Sequence, residues 1–129
     1  MQKIMLIEDD PLFVRRVRRT FSDIEIDCYL SPAEFWFDLN KSKEAFIEKI
    51  HNTNLFFLDF HLTEKENIFN SGVFEMIFCN KNHDAKIISI SSNSTAEIEK
   101  MMLEMGVNSK YKYDLYLKKE INLLSEIIQ

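Results

Sequence analysis

The chain has little of what makes a protein loose. Two glycines and two prolines in 129 residues leave no material for flexible Gly/Ser linkers or proline-rich spacers. Cysteine is equally sparse. Cys28 and Cys79 stand far apart with no CxxC spacing, which argues against a thiolate metal centre; both are expected as buried, reduced thiols of a cytoplasmic protein. No apolar run approaches the roughly 20 residues of a membrane-spanning helix. The opening stretch, Met1 to Ile7, stops at three acids instead of a small-residue cleavage site, so it does not read as a signal peptide. Excess positive charge is missing too: the formal net charge is −5, which gives no global attraction for nucleic acid. The one basic cluster, Arg15, Arg16, Arg18 and Arg19, fits the solvated face of a helix, with a docking surface for an acidic partner as the sharper alternative. There is no Walker phosphate loop and no glycine-rich dinucleotide fingerprint. No DNA-binding output is expected after the last helix.

What is present suits one globular domain, expected over residues 1–129. Hydrophobic residues make up 46% and charged residues 29%, enough for a single core. Ile4 to Ile7 and Leu55 to Leu58 are short, wholly apolar runs, which suit strands covered on both faces, and Lys86 to Ile90 reads as a further strand. Ile26 to Leu30 and the short Tyr116-Leu117 complete five strands. Between them lie helical patterns. Asp9 or Asp10 can cap a helix opening at Pro11, with Phe13, Val14, Val17 and Phe21 as its buried stripe. Ser31-Pro32 opens a second helix carrying Phe35, Trp36 and Leu39. A further helix is expected at Lys43 to His51, and others at Gly72 to Cys79, Thr95 to Met105 and Ile121 to Ile128. Residues 61–71 read as a polar, irregular loop. The alternation predicts an α/β fold: a doubly wound, five-stranded parallel sheet with helices on both faces. In such sheets ligands bind beyond the carboxyl ends of the strands.

Those ends carry the chemistry. The first strand runs into Glu8-Asp9-Asp10, the third into Asp59, the fourth into Ser91-Ser92 and the fifth into Lys118-Lys119. Singly, each has an ordinary explanation: an Asp or Ser after a strand is most often a turn or cap residue, and a terminal Lys a solvated charge. Jointly they converge on one rim. Carboxylates crowded there repel one another unless neutralised. Mg²⁺, a hard cation that takes oxygen ligands, does this well, and a lysine and a hydroxyl can serve an anionic oxygen. Such a set suits a carboxylate that attacks phosphorus.

Four stretches together, Ile4-Met5-Leu6-Ile7-Glu8-Asp9-Asp10, Leu55-Phe56-Phe57-Leu58-Asp59, Ile87-Ile88-Ser89-Ile90-Ser91-Ser92 and Tyr116-Leu117-Lys118-Lys119, make the chain resemble the receiver domain of two-component response regulators, of the standalone kind, over essentially its whole length. The resemblance implies a flavodoxin-like strand order, 2-1-3-4-5. It implies that Asp59 accepts a phosphoryl group from a sensor histidine kinase or a histidine phosphotransfer protein, and that the domain then switches its binding to a downstream protein. Mg²⁺ would be held by Asp9 directly, by Glu8 through water, by Asp59 and by the backbone carbonyl of His61. Ser91 would be the hydroxyl that moves toward the phosphoryl group, and Tyr116 the aromatic that turns with it. Lys119 is the expected site lysine, because the family's aromatic stands three residues earlier. His61 and Asn93 are candidates to border the path of the hydrolytic water. The domain would act on itself and not as an enzyme on a separate substrate, with neither nucleic acid nor membrane as partner and with a phosphorylation-dependent homodimer left open. Departures are visible as well. Glu120 stands where the family has proline, the loop after Asp59 is long, and residues 43–51 and 108–114 look like insertions. Two other readings remain: a receiver-like interaction module that takes no phosphoryl group, and an aspartate-nucleophile phosphohydrolase, which His61 two residues after Asp59 disfavours.

Overall fold

The computed structural model describes residues 2–60, 67–91, 95–104 and 114–120, except for the side chains of Ser91, Thr95, Met102, Asp114, Leu115, Tyr116 and Lys119. The elements are β1 (Lys3–Ile7), α1 (Pro11–Thr20), β2 (Glu25–Tyr29), α2 (Pro32–Lys41), α3 (Lys43–His51), β3 (Leu55–Asp59), α4 (Val73–Asn80), β4 (Lys86–Ser91), α5 (Thr95–Glu104) and β5 (Asp114–Leu117), followed by a 3₁₀ turn at Lys118–Glu120. The sheet order is β2-β1-β3-β4-β5, parallel throughout. This is the α/β architecture and strand order expected. The helix expected at Ile121 to Ile128 and the insertion at 108–113 lie outside the described residues.

Side-chain alternation along the strands divides the core in two. Met5, Ile7, Phe56, Leu58 and Ile87 face Phe35, Leu39, Phe46, Ile50, Phe74, Ile77 and Ile98 of α2 to α5. Ile4, Leu6, Leu55, Phe57, Ile88 and Ile90 face Phe13, Val14 and Val17 of α1, with Phe21 just beyond it. Both faces of β1 and β3 are covered, which explains why these strands read as unbroken apolar runs. The four arginines lie on the outer side of α1, three exposed and Arg16 half-buried. The expectation of two buried thiols fails for Cys79, which is exposed on the outer side of α4, while Cys28 is half-buried on β2.

The helix starts follow their capping residues. Asp10, not Asp9, caps α1 by accepting from the Leu12 N–H, and Ser31 and Ser42 do the same for α2 and α3 through Glu34 and Ala45. Gly72 precedes α4 at φ +80, a left-handed backbone conformation that favours glycine. Ahead of it, residues 67–71 form a hydrogen-bonded turn. The Asn67 side chain accepts from the N–H groups of Phe69 and Asn70, and Ile68 is fully buried. The polar-loop reading of 61–71 missed this anchor, because one isoleucine gives no periodic signal.

The additional helix α3 is built into the core. Phe46 meets Phe35 edge to face at 4.9 Å and Tyr29 at 5.9 Å. The Tyr29 hydroxyl donates to Asp38, and Lys49 reaches the same carboxylate at 3.1 Å. Phe46→Ala is therefore expected to cost about 3–5 kcal/mol, read as a lower urea midpoint at unchanged m-value. A loss under about 1 kcal/mol would mean that α3 is not part of the cooperative unit.

Candidate functional site

The three acids that end β1 take three different tasks. Glu8 turns inward and is fully buried, Asp9 stays exposed, and Asp10 caps α1. Glu8 is still within the sheet's hydrogen bonding, since its N–H donates to the Tyr29 carbonyl at 3.0 Å. Asp59 is the last residue of β3, and its side chain is almost fully buried. The Phe60 N–H donates to the Ile90 carbonyl, so the chain remains fastened to β4 just past the acid. One oxygen each from Glu8, Asp9 and Asp59 lies within 4.8 Å of the others.

Among the described residues, the cation at this cluster is Lys118. Its Nζ stands 2.9 Å from Glu8 Oε1 and 3.4 Å from Asp59 Oδ2. Lys119 is the lysine expected from the sequence; Lys118 is the one that the described side chains place here. The strand ends at Leu117, and Lys118 opens the 3₁₀ turn, where the two-residue period of a strand no longer applies. The side chain of Lys119 lies outside the described residues. The turn that presents Lys118 is closed by Glu120, whose Oε1 accepts from the Leu117 N–H at 2.8 Å. Glu120 thus has a task of its own in this turn, one that the sequence pattern does not signal.

Electrostatically the cluster lacks positive charge. Burial first, and then the Asp59 charge, push Glu8 up to about 8, against the opposing pull of Lys118 and the Asp10 N–H. Burial likewise raises Asp59, to about 6, although Lys118 and a hydrogen bond from Glu8 pull it down. Burial tends to lower Lys118, but its hydrogen bond to Glu8 and the charges of Asp59 and Glu8 win and lift it. The ammonium is therefore firmly charged. Glu8 Oε2 is buried and meets no hydrogen-bond donor, a costly condition for a carboxylate oxygen.

These residues fit a small divalent cation. The donors are hard oxygens, three carboxylates face one ammonium, and one buried oxygen waits for a positive partner. Two ligands of one octahedral Mg²⁺ are at most about 4.2 Å apart. A 4.8 Å spread is then closed by a small side-chain rotation or by one ligand acting through water, as expected for Glu8.

Ser91 ends β4, with its backbone paired to Leu117 next to Lys118, and Tyr116 lies within β5, paired to Ile90. The side chains of both are outside the described residues, as are His61 and Asn93 altogether. Among the described residues, no helix is long and apolar enough to cross a membrane.

No protein-family model matches the chain, and no curated protein does. Solved structures do match. The beryllofluoride-activated receiver domain of DrrB, a Thermotoga maritima protein, aligns with a TM-score of 0.66 at 18% identity over 99% of this chain and 94% of its own. A response regulator receiver protein from Burkholderia phymatum gives 0.63 at 18% identity, covering 96% and 88%. A receiver domain protein from Bacillus halodurans gives 0.66 at 11% identity, covering 99% and 97%. At such identities the likeness is one of fold.

Proposed function

From a chain that carries the response-regulator receiver fold over nearly its whole length, we propose a phosphoacceptor signalling domain in which Asp59 takes a phosphoryl group and the change in charge alters partner binding. The observation that carries this reading is the meeting of Glu8, Asp9, Asp59 and Lys118 at one rim, from the ends of two strands and the turn after a third. The donor would be a phosphohistidine on a sensor kinase or phosphotransfer protein. The domain would catalyse only its own phosphorylation and dephosphorylation, in the cytoplasm.

Each residue has a physical task. Asp59 Oδ2 attacks phosphorus in line as the P–N bond to the donor imidazole breaks. Lys118 Nζ, 3.4 Å from that carboxylate, lies where it can hold a phosphoryl oxygen without coordination geometry. Asp9, Asp59, Glu8 and the backbone carbonyl of His61 would hold Mg²⁺. When bound, the ion supplies charge neutralisation for the phosphoryl oxygens. Positioning and charge account for most of the acceleration. Ser91 then hydrogen-bonds the modified Asp59, and Tyr116 follows it, which shifts the population of the adjoining β4–α5 segment. His61 and Asn93 border the route of the water that later hydrolyses the acyl phosphate. The downstream partner is a protein, and modified domains pairing with one another remain within the proposal.

Intact-mass analysis after incubation with acetyl phosphate and Mg²⁺ tests the reading. One added phosphoryl group is expected on the wild type and none on Asp59→Asn. An unmodified wild type would leave only an interaction module, and a modified Asp59→Asn would move the acceptor elsewhere.

A further inference from the structure

Lys118 has a third neighbour that the proposed chemistry does not use. Its ammonium stands 5.3 Å from the centroid of the Phe13 ring. Phe13 is on the inner side of α1, 5% exposed, within the core layer formed with Leu6, Phe57 and Ile90. The Lys118 side chain is itself only 18% exposed. The ammonium is thus held between two carboxylates, at 2.9 and 3.4 Å, and one aromatic face.

These contacts do not respond alike to a second cation. A divalent ion on Glu8, Asp9 and Asp59 takes over carboxylate oxygens that now face the lysine, and it repels the ammonium besides. Both carboxylate contacts weaken at the moment when the lysine is needed at the phosphoryl oxygens. The aromatic face is unaffected. It has no charge for the ion to occupy, and its quadrupole attracts the ammonium most strongly where water is excluded.

We propose that Phe13 is a positioning residue for Lys118, the face that keeps the ammonium at the acidic rim once a divalent cation occupies the carboxylates. This rests on the phosphoacceptor reading for its effect on rate, but not for its effect on geometry. Phe13 touches no reacting atom and works only through the lysine. Leucine fills most of the same buried volume and lacks the quadrupole, so leucine and tyrosine at this position separate packing from positioning.

Three measurements test it. Phe13→Leu is expected to slow acetyl-phosphate labelling by about three- to tenfold, the span of a partly desolvated cation–π contact, with Mg²⁺ affinity and thermal midpoint near wild type. Phe13→Tyr, which keeps the aromatic face, is expected to label within about twofold of wild type. In the Mg²⁺-loaded wild type, the Lys118 ε-methylene protons are expected upfield of ordinary lysine positions through the ring current. Wild-type labelling by Phe13→Leu, or equal slowing in the leucine and tyrosine variants, overturns the inference. So does an ordinary ε-methylene shift in the Mg²⁺-loaded protein. If Phe13→Leu does not fold, the NMR shift on the unaltered chain decides. A wild type that takes no label refutes the phosphoacceptor reading instead, and the NMR shift still judges the placement by itself.

Discussion

Lys118→Met is expected to slow phosphoryl uptake by about a hundredfold, the usual scale for losing one preorganised electrostatic partner of a developing charge. Lys119→Met should stay within about twofold. The contrast follows from geometry. Lys118 Nζ lies within 3.4 Å of both Glu8 and Asp59. Methionine keeps most of the aliphatic stem and removes the charge, so the loss reports electrostatics more than packing. Single-turnover labelling with acetyl phosphate at saturating Mg²⁺ gives the comparison. A large loss in Lys119→Met with little in Lys118→Met would restore the assignment suggested by the aromatic-to-lysine spacing. Equal and small losses would remove the lysine from the mechanism.

The second large effect concerns stability and changes direction with Mg²⁺. In the cation-free protein, Glu8 and Asp59 are raised to about 8 and about 6, chiefly by burial. The native state therefore binds more protons than the unfolded chain, and stability falls as pH rises. The favourable contribution is complete below the ordinary carboxylate range and is lost as pH passes about 6 and then about 8. Each group contributes on the order of a few kcal/mol. The thermal midpoint without Mg²⁺ should thus be lower at pH 8.5 than at pH 5.5, by several degrees for a domain of this size. Asp38 is moved the other way, lowered first by its hydrogen bond from Tyr29. Its contribution is lost only in more acid solution, outside this window. Mg²⁺ prefers the deprotonated cluster, so its stabilisation should grow across the same interval and flatten or reverse the slope. Asp59→Asn removes one buried charge. Its cation-free form should be more stable than wild type at pH 8.5 and gain little from Mg²⁺. A wild-type midpoint that rises from pH 5.5 to 8.5 without Mg²⁺ would contradict the charge balance drawn at the rim.

The fold was readable because its signals are local and repeated. Apolar runs the length of strands, Asp10-Pro11 and Ser31-Pro32 at helix starts, and stripes such as Phe13, Val14 and Val17 each state their element without knowledge of the rest. The helix expected at Lys43 to His51 is α3. Glu8, Asp9 and Asp59 were legible for a related reason: a polar residue after an apolar strand in a parallel sheet has only one rim to occupy. The lysine was not. The strand ends at Leu117 and the chain enters a 3₁₀ turn. A spacing rule that carries strand logic across this boundary names Lys119, whereas the described contacts belong to Lys118. Cys79 was misjudged because apolar flanks do not say which side of a helix a residue takes. Ile68 and the turn around Asn67 were missed because their order comes from hydrogen bonds between side chain and backbone, which have no periodicity to detect.

The carboxylate of Glu120 leaves one more mark on this molecule. It grips the Leu117 amide from outside the acidic rim, so the segment bearing the lysine is tied by a side chain that can let go. A pyrrolidine ring in that place would set the backbone permanently. Here the fastening is a side-chain hydrogen bond, open to replacement by one substitution. The reach of the ammonium can therefore drift, under selection or in the hands of an engineer, while the carboxylates that define the cluster stay as they are.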